Sequence, residues 1–426
     1  MPTRDFTFAH LADAHVGAWP RDPAVRDALR ESVVRALRVV EERECEFLLI
    51  SGDLFHTPVP DPAEVAPVAA ALRALSDQGR RIYVIYGSHD YVAHRTGWLD
   101  VLAETGLFLK SAPEAVRPEG DRWTLPFRID PGTGARIAGI SGRSQGLDRG
   151  SFLAVDSESF RAEPGFKIFQ FHAAVQEYLP ESLREHVRGI SKEDLPAGCD
   201  YYAGGHIHTT YEGTGPEDRG LLVNPGAVFG TSITDIENGV RGRSRQGIVI
   251  VEVRDGIPRA EPVGTAPKAV AVFDVDVGGE SVDGARARIE REIAARSTPG
   301  ALLFPRIHGT LIDGTIGTLG LHRSDGAPSA SGPASIHWDV TDAQGGSPGD
   351  PEPPGTADDV EAEIVRRLAS EAPASLSPTD SPTTVLAELL RELGLGPGEG
   401  ESKTDYELQR MRAARRLLKV PERDAP

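Results

Sequence analysis

The segment that decides the fold covers residues 47–56 and reads Phe-Leu-Leu-Ile-Ser-Gly-Asp-Leu-Phe-His. Its first four residues form an uninterrupted apolar run, which predicts a buried β-strand. Gly52, Asp53 and His56 follow in a short loop that carries a carboxylate and an imidazole. Because functional groups of layered α/β folds gather at strand ends, this arrangement predicts a site just beyond the strand.

Further apolar runs predict strands of the same domain. They cover residues 7–11, 81–86, 135–140, 167–171, 200–203, 221–223 and 247–253. Residues 23–42 place apolar side chains three and four positions apart, which predicts an amphipathic helix, and residues 63–75 predict a second one. Strands that alternate with helices indicate an α/β domain with two packed sheets, expected over residues 1–262.

The rest of the chain predicts three further segments. A small β-α-β domain is expected within residues 265–320. Its elements would be a strand at 269–277, a helix at 281–296 that begins after Ser281, and a strand at 302–311. Residues 323–356 are dense in Gly, Pro, Ser and Asp, which predicts a flexible linker, although residues 336–340 within it could form a single strand. A helical segment is expected over residues 357–426. Its helices would cover residues 358–369, 382–393 and 404–418.

The composition limits the class of protein. The 426 residues include 46 Lys and Arg against 64 Asp and Glu, which gives a net charge of −18. This acidity argues against a generally basic polyanion binder but leaves room for a local basic groove. The apolar runs are too short to cross a membrane, and the N-terminus shows no secretory signal. Two cysteines provide no disulfide framework. We therefore expect a cytoplasmic protein without a membrane partner.

Ten polar residues follow the predicted strands and combine into one constellation. They are Asp13, His15, Asp53, His56, Ser88, His89, Asp90, His172, His206 and His208. Carboxylates and imidazoles suit divalent cations such as manganese, zinc or iron. In an extended backbone, the Asp-x-His and His-x-His spacings place two side chains about 6–7 Å apart on the same side. Two ions ~3.5–4 Å apart require a bridging carboxylate, and Asp53 is the candidate.

The order of these motifs resembles the calcineurin-like metallophosphoesterases. Gly-Asp-Leu-Phe-His at 52–56 and Tyr-Tyr-Ala-Gly-Gly-His-Ile-His at 201–208 are similar to one branch, the SbcD-type DNA repair nucleases. That branch includes the meiotic-recombination-eleven nucleases of archaea and eukaryotes. The resemblance covers residues 6–253, and more loosely 268–311 as the capping domain of the family. It implies a four-layer αββα sandwich, a small β-α-β cap, a C-terminal helical tail and two manganese ions.

The resemblance also implies a role for each residue. One ion would be held by Asp13, His15, Asp53 and His208, and the second by Asp53, Ser88, His172 and His206. His89 would face the scissile phosphate as general acid or charge partner, and Asp90 would orient His89 through a carboxylate–imidazole bond. His56 would approach the substrate or pack within its own loop. Ser88 stands where the family has Asn, which predicts weaker binding of the second ion.

The motifs predict phosphoester hydrolysis, and the resemblance implies DNA as the substrate. The expected function is a DNA exonuclease and endonuclease in double-strand-break repair. It would act as a homodimer, through helices within residues 63–75 and 97–106, with an SbcC-like coiled-coil ATPase bound by the C-terminal segment. Candidate phosphate contacts are Arg21, Arg95, Arg143 and Arg149. Two alternatives stay open: a small-molecule or cyclic-nucleotide phosphodiesterase, and a DNA-end-binding scaffold with a weakened site.

Overall fold

The computed structural model describes residues 4–345 apart from 92–95, 113–117, 120–121, 143–148, 186, 268 and 322–331. The predicted C-terminal helices and the candidate phosphate contacts Arg95 and Arg143 lie outside the described residues. The helices are α1 (Pro23–Glu42), α2 (Pro62–Asp77), α3 (Trp98–Glu104), α4 (Arg149–Leu153), α5 (Ser157–Ala162), α6 (Glu181–Arg184), α7 (Ile233–Val240) and α8 (Val282–Arg296). None of these helices combines the length and apolar character needed to span a bilayer.

The described strands form two large sheets and two smaller ones. They are β1 (Phe6–Leu11), β2 (Phe47–Ser51), β3 (Arg81–Ile85), β4 (Leu109–Lys110), β5 (Pro118–Glu119), β6 (Arg122–Trp123), β7 (Arg128–Ile129), β8 (Arg136–Ile140), β9 (Lys167–Phe171), β10 (Tyr201–Ala203), β11 (Tyr211–Thr214), β12 (Leu221–Asn224), β13 (Gly247–Arg254), β14 (Ile257–Gly264), β15 (Val270–Asp276), β16 (Leu302–Thr310), β17 (Ser335–Ile336) and β18 (Asp339–Gln344).

The first sheet has the strand order β14-β13-β1-β2-β3-β4. Strands β1 to β4 run parallel, and β13 and β14 are antiparallel additions beside β1. The decisive segment forms the interior strand β2, in which every residue is buried. Its uninterrupted apolar character follows from this position, because both faces of the sheet are covered. The predicted domain end at residue 262 falls inside β14.

The second sheet has the order β11-β12-β10-β9-β8-β7, with β8, β9, β10 and β12 parallel. It packs face to face against the first sheet. Phe8 and Phe47 of the first sheet stack with ring centroids 4.9 Å apart, and Tyr201 of the second sheet meets Phe8 edge-on at 5.1 Å. These aromatic rings form the centre of a buried apolar layer, which holds the two sheets together through the hydrophobic effect.

Helices cover the outer faces of both sheets. Leu29 of α1 and Leu72 of α2 are buried against the first sheet, and Phe152 of α4 and Phe160 of α5 are buried against the second. Helix α1 begins where the sequence predicts, because the Asp22 side chain accepts a hydrogen bond from the backbone of Val25 at the N-terminus. The predicted four-layer αββα sandwich is therefore confirmed.

A third sheet contains β15, β16, β17 and β18 and is parallel throughout. Helix α8 connects β15 to β16, and the Ser281 side chain caps its first turn as the sequence predicts. The expectation of a linker over residues 323–356 is wrong for residues 335–344, which form β17 and β18 on β16. These short, polar strands lack an apolar signal, but pairing satisfies the backbone groups along the edge of β16. The Ser335 hydroxyl also donates to the Asp22 carboxylate at 3.0 Å.

A buried carboxylate links the two large sheets at the end opposite the polar loops. Asp130, which has no solvent exposure, accepts hydrogen bonds from the Arg81 guanidinium at 2.8 Å and from the Tyr83 hydroxyl at 2.9 Å. The backbone and hydroxyl of Thr133 also donate to it. Burial alone would raise the pKa of Asp130, but the hydrogen bonds from Arg81, Thr133 and Tyr83 together outweigh it and lower that pKa.

We expect Asp130→Asn to lower the free energy of unfolding by about 3 kcal/mol, because it leaves the partly buried Arg81 guanidinium without its charge partner. Urea titration at pH 7 measures the loss. Because the folded-state pKa is depressed, the gap between wild type and variant should shrink as pH falls through that pKa. The control Glu46→Gln removes the exposed ion pair with Arg4 and should cost less than about 1 kcal/mol. Equal losses in both variants would contradict the assignment.

Candidate metal centre

The ten predicted site residues follow the carboxyl ends of five strands. Strands β1, β2 and β3 are adjacent and parallel in the first sheet, and β9 and β10 are adjacent and parallel in the second. Since the sheets face each other, the loops after these strands meet at one end of the sandwich. The structure therefore brings the predicted residues into one cluster, most of which is buried.

Asp53 lies at the middle of this cluster. Its Oδ2 atom is 3.2 Å from Nε2 of His172 and 3.6 Å from Nε2 of His15. Nε2 of His15 is in turn 3.2 Å from Nε2 of His208. Among the described residues, the potential ligand atoms form three overlapping groups. They are Asp13 with His15 and His208, Asp13 with Asp53 and His172, and His15 with His56 and His89. Two carboxylates thus lie between histidines that arrive from different sheets.

The donor atoms of the cluster are oriented as a cation site requires. His172 Nδ1 lies 2.8 Å from the carbonyl oxygen of Ser51, so this nitrogen carries a proton and Nε2 is the ring atom that faces the cluster. That Nε2 atom is buried and has no hydrogen-bond partner. His208 is held in the same way, because its Nδ1 lies 2.9 Å from Asp235. Once Nε2 has lost its proton, these imidazoles and the carboxylates would present converging lone pairs, which fit a divalent cation.

Burial and neighbouring charges shift the pKa values of the cluster in opposite directions. Burial raises the pKa of Asp13 to about 6, even though His172 and His208 act in the opposite direction. Burial would also raise the pKa of Asp53, but His172 outweighs it and holds that pKa well below its usual range. Burial lowers the pKa of His172, yet Asp53 raises it to about 10. A bound cation would take the place of the protons that these histidines hold.

The backbone is also strained at the cluster. Asp13, His15, Asp53 and His206 have φ values of 49°, 45°, 52° and 91°, in the left-handed region that non-glycine residues rarely adopt. Such outliers concentrate at functional sites, where the surrounding structure holds them in place. Gly52 has φ 89°, and a Cβ atom there would overlap the His172 ring. The glycine before Asp53 therefore permits both the turn and the close approach of His172.

The predicted role of Asp90 is wrong in this structure. Its carboxylate accepts hydrogen bonds from the backbone N–H groups of Leu54 at 3.0 Å and Phe55 at 2.9 Å. His89 instead places Nδ1 3.0 Å from the carbonyl oxygen of His56. Asp90 is buried, whereas the His89 ring is exposed. Both carboxylate oxygens of Asp90 therefore accept hydrogen bonds from the backbone of the loop after β2. Asp90 thus positions the loop that carries Asp53, and His56 orients His89.

His56, Ser88 and His89 line the more open side of the cluster. The rings of His56 and His89 stack with centroids 5.2 Å apart, and the His89 ring meets His15 edge-on at 4.8 Å. Ser88 Oγ lies 3.4 Å from Asp53 Oδ2, and the backbone N–H of His89 donates to Asp53 Oδ1 at 2.8 Å. The structure therefore brings His56 to the site and leaves His89 accessible.

Other residues near the motifs have structural partners. His10 is fully buried and lies 2.9 Å from the Tyr201 hydroxyl and 3.0 Å from that of Ser51. Arg149, a candidate phosphate contact, forms an ion pair with Asp194 at 2.9 Å. Its guanidinium is therefore already engaged away from the cluster.

Asp235 is a site residue that the sequence analysis missed. Its Oδ2 atom accepts hydrogen bonds from His208 Nδ1 and from the backbone of Thr231, both at 2.9 Å. Burial would raise its pKa, but the His208 bond lowers that pKa to about 2. The only local signal is Ser232 three residues before it, a capping box at the start of α7. Nothing in the sequence relates that helix to His208.

We expect Asp235→Asn to weaken divalent-metal binding roughly 10- to 100-fold, because the His208 ring loses the anion that fixes its orientation. Calorimetric titration with Mn²⁺ measures the change. Asp218→Asn is the matched control, since its carboxylate forms an exposed ion pair with Lys192 and should leave metal affinity unchanged. Unaltered Mn²⁺ affinity in the Asp235 variant would contradict this role.

The fold and the site define a class of metal-dependent phosphoester hydrolase. Residues 6–210 match the family model for calcineurin-like phosphoesterase, so the chain contains a calcineurin-like phosphoesterase domain. Enzymes of this family use divalent metal ions. The resemblance to calcineurin-like metallophosphoesterases that the motifs predict is confirmed for these residues.

The relatives include the DNA double-strand break repair protein Mre11 of Methanopyrus kandleri, 29% identical over 47% of this chain and 44% of that protein. Mre11 of Archaeoglobus fulgidus is 22% identical over 70% of this chain and 68% of that protein. UDP-2,3-diacylglucosamine hydrolase of Pseudomonas savastanoi pv. phaseolicola is 36% identical over 20% of this chain and 33% of that protein. The chain spans about half the length of several curated relatives that it matches.

Proposed function

We propose that the chain is a two-metal-ion phosphodiesterase that cleaves DNA in double-strand-break repair, as an exonuclease and endonuclease. The observation that carries this proposal is the position of the Asp53 carboxylate between His15 and His172, at 3.6 and 3.2 Å. Two divalent cations, when bound, would polarise the phosphate and activate water for in-line attack. The named Mre11 relatives support DNA as the substrate.

The proposed ligand sets are those that the family resemblance implies. Asp13, His15, Asp53 and His208 would hold one ion, and Asp53, Ser88, His172 and His206 the other. Manganese is the proposed metal, because mixed carboxylate and imidazole donors suit it. The exposed His89 would donate a proton to the leaving oxygen or balance the charge on the phosphate. His56 would approach the substrate beside His89, since the two rings stack.

The proposed assembly includes an SbcC-like coiled-coil ATPase and a second copy of this chain. Helices α2 and α3 would form the homodimer contact, and residues 357–426 would bind the ATPase. Residues 265–320, with the strands β17 and β18 that the structure adds to them, would serve as the cap over DNA. The names of the Mre11 relatives support only the process that this assembly would serve, the repair of DNA double-strand breaks.

A single assay series tests the proposal. The full-length chain with Mn²⁺ should degrade linear duplex and single-stranded DNA, and EDTA should stop the reaction. A second candidate, a small-molecule or cyclic-nucleotide phosphodiesterase, is favoured by the match to the diacylglucosamine hydrolase. Hydrolysis of cyclic nucleotides or sugar nucleotide esters without DNA cleavage would support that candidate. If no ester were hydrolysed with or without the ATPase, while DNA ends were bound, the scaffold hypothesis would stand instead.

We expect Ser88→Asn to raise the affinity for the second Mn²⁺ ion about tenfold, because the amide oxygen reaches further than the hydroxyl, which lies 3.4 Å from Asp53. Calorimetry with Mn²⁺ should then show two sites of more similar affinity. Ser88→Ala is the control and should weaken the second site or leave it unchanged. An identical binding curve for the Asn variant and the wild type would show that position 88 is not a ligand.

A further inference from the structure

A cavity of about 620 Å³ opens directly beside the metal-ligand cluster, and His206 and His208 form part of its wall. Its apolar lining consists of Pro180, Leu183, Val187 and Ile207. Helix α7 and the loop after it supply the polar lining, which includes Arg243. A cavity of this size with an apolar surface and a few polar groups is typical of a small-ligand site. Metal binding by the cluster does not explain the presence of this cavity.

The loop after α7 is basic within an otherwise acidic chain. Residues 241–245 read Arg-Gly-Arg-Ser-Arg in a protein whose net charge is −18. Arg241 is neutralised by Glu237 at 2.6 Å. Within the part of the chain that the structure describes, the Arg243 side chain forms no ion pair. Because Arg243 also lines the cavity, an exposed positive charge lies at the edge of a site that receives phosphoesters.

The backbone holds Arg243 in a fixed relation to the metal ligands. Its own N–H donates to the carbonyl oxygen of Asn238 at 2.8 Å, which ties it to the last turns of α7. The hydroxyl of the next residue, Ser244, donates to the carbonyl oxygen of His208 at 3.3 Å. The acidic residue in the cavity wall, Asp235, is already engaged by His208 and Thr231. The guanidinium of Arg243 is therefore available to bind an anion of a ligand.

We infer that Arg243 binds the phosphodiester next to the scissile one, and that the cavity receives the nucleoside between those two phosphates. This inference rests on the proposed function, since it requires a substrate that is a chain of phosphodiesters. Guanidinium groups bind phosphate oxygens through paired hydrogen bonds, and phosphate contacts set the register of a nucleic acid on a protein. The apolar lining formed by Leu183, Val187 and Ile207 suits the flat face of a base.

The experiment measures hydrolysis by the full-length chain with Mn²⁺ on two substrates. One is a single-stranded oligonucleotide, and the other is bis(p-nitrophenyl) phosphate, which has no neighbouring phosphate. Arg243→Ala should raise the KM for the oligonucleotide about tenfold and leave the small ester unchanged within about twofold. The slope of log KM against log salt concentration should fall by about 0.7, the contribution of one single-strand phosphate contact. The control Arg259→Ala removes an exposed arginine on β14, outside the cavity lining.

Two modified oligonucleotides complete the test. Each carries one neutral methylphosphonate linkage next to the scissile phosphodiester. The linkage lies on the 5′ side in one oligonucleotide and on the 3′ side in the other. One of the two should raise the KM of the wild type as Arg243→Ala does and have no further effect on that variant, because both changes remove the same contact. If oligonucleotides are cleaved and Arg243→Ala behaves like Arg259→Ala, the inference is wrong and the nuclease function stands. If the wild type cleaves only bis(p-nitrophenyl) phosphate, both the nuclease function and the inference are overturned.

Discussion

Asp53→Ala is expected to lower kcat for DNA cleavage about 10⁴-fold, which corresponds to about 5.4 kcal/mol of transition-state stabilisation. The reason is the position of the carboxylate, which is 3.2 Å from His172 and 3.6 Å from His15. Removing it leaves two imidazole groups without the anion that joins them, so both cations lose a ligand at once. Metal content should fall together with activity, and calorimetry should show the loss of at least one Mn²⁺ site.

Two further variants separate the charge of Asp53 from its structural role. In the wild type, the His89 backbone N–H donates to the Asp53 carboxylate at 2.8 Å. The Asp53→Asn side chain retains an oxygen that can accept this hydrogen bond, but the amide carries no charge. This variant should fold as the wild type does and still lose most of the activity. Asp218→Ala, on the surface, should retain both activity and metal content. Two bound Mn²⁺ ions and unchanged cleavage in the Asp53→Ala variant would overturn the bridging role.

The buried strands and the polar loops that directly follow them can be predicted from the sequence. The apolar run of β2 and the polar loop after it are adjacent in the chain, so one segment predicts both the buried strand and the position of Asp53. The same reasoning places His172 and His206 after β9 and β10. Parallel pairing then brings these loops to one end of the sandwich, which is why residues more than a hundred positions apart form one cluster.

Contacts with backbone groups that are distant in the sequence cannot be predicted in this way. Asp90 accepts hydrogen bonds from the N–H groups of Leu54 and Phe55. These groups face Asp90 only because β2 and β3 are neighbours. Asp235 reaches His208 because α7 begins near the end of β10, and the capping box predicts only where that helix begins. Strand β18 forms because β16 offers an edge, although its own residues are mostly polar and exposed.

The second large effect concerns the exposed imidazole. His89→Gln is expected to lower kcat for DNA cleavage between about 10²- and 10⁴-fold, the contribution of a well-placed proton donor or charge partner. Metal binding should persist, because the His89 side chain contacts the carbonyl oxygen of His56 at 3.0 Å and the histidine rings rather than the Asp53 carboxylate. Mn²⁺ calorimetry on the variant provides that control. Retention of the full DNA cleavage rate would show that His89 has no part in the chemistry.

The choice between the two roles of His89 depends on the leaving group. A p-nitrophenolate leaves without a proton, so a general acid gives little advantage with bis(p-nitrophenyl) phosphate, whereas the alkoxide released from DNA needs protonation. If His89 is the acid, the rate loss in His89→Gln should be at least tenfold smaller for the nitrophenyl ester than for DNA. If it stabilises charge on the phosphate, both substrates should lose the same factor. Because Nδ1 faces the carbonyl oxygen of His56, Nε2 is the atom that would face the leaving oxygen or the phosphate in either role.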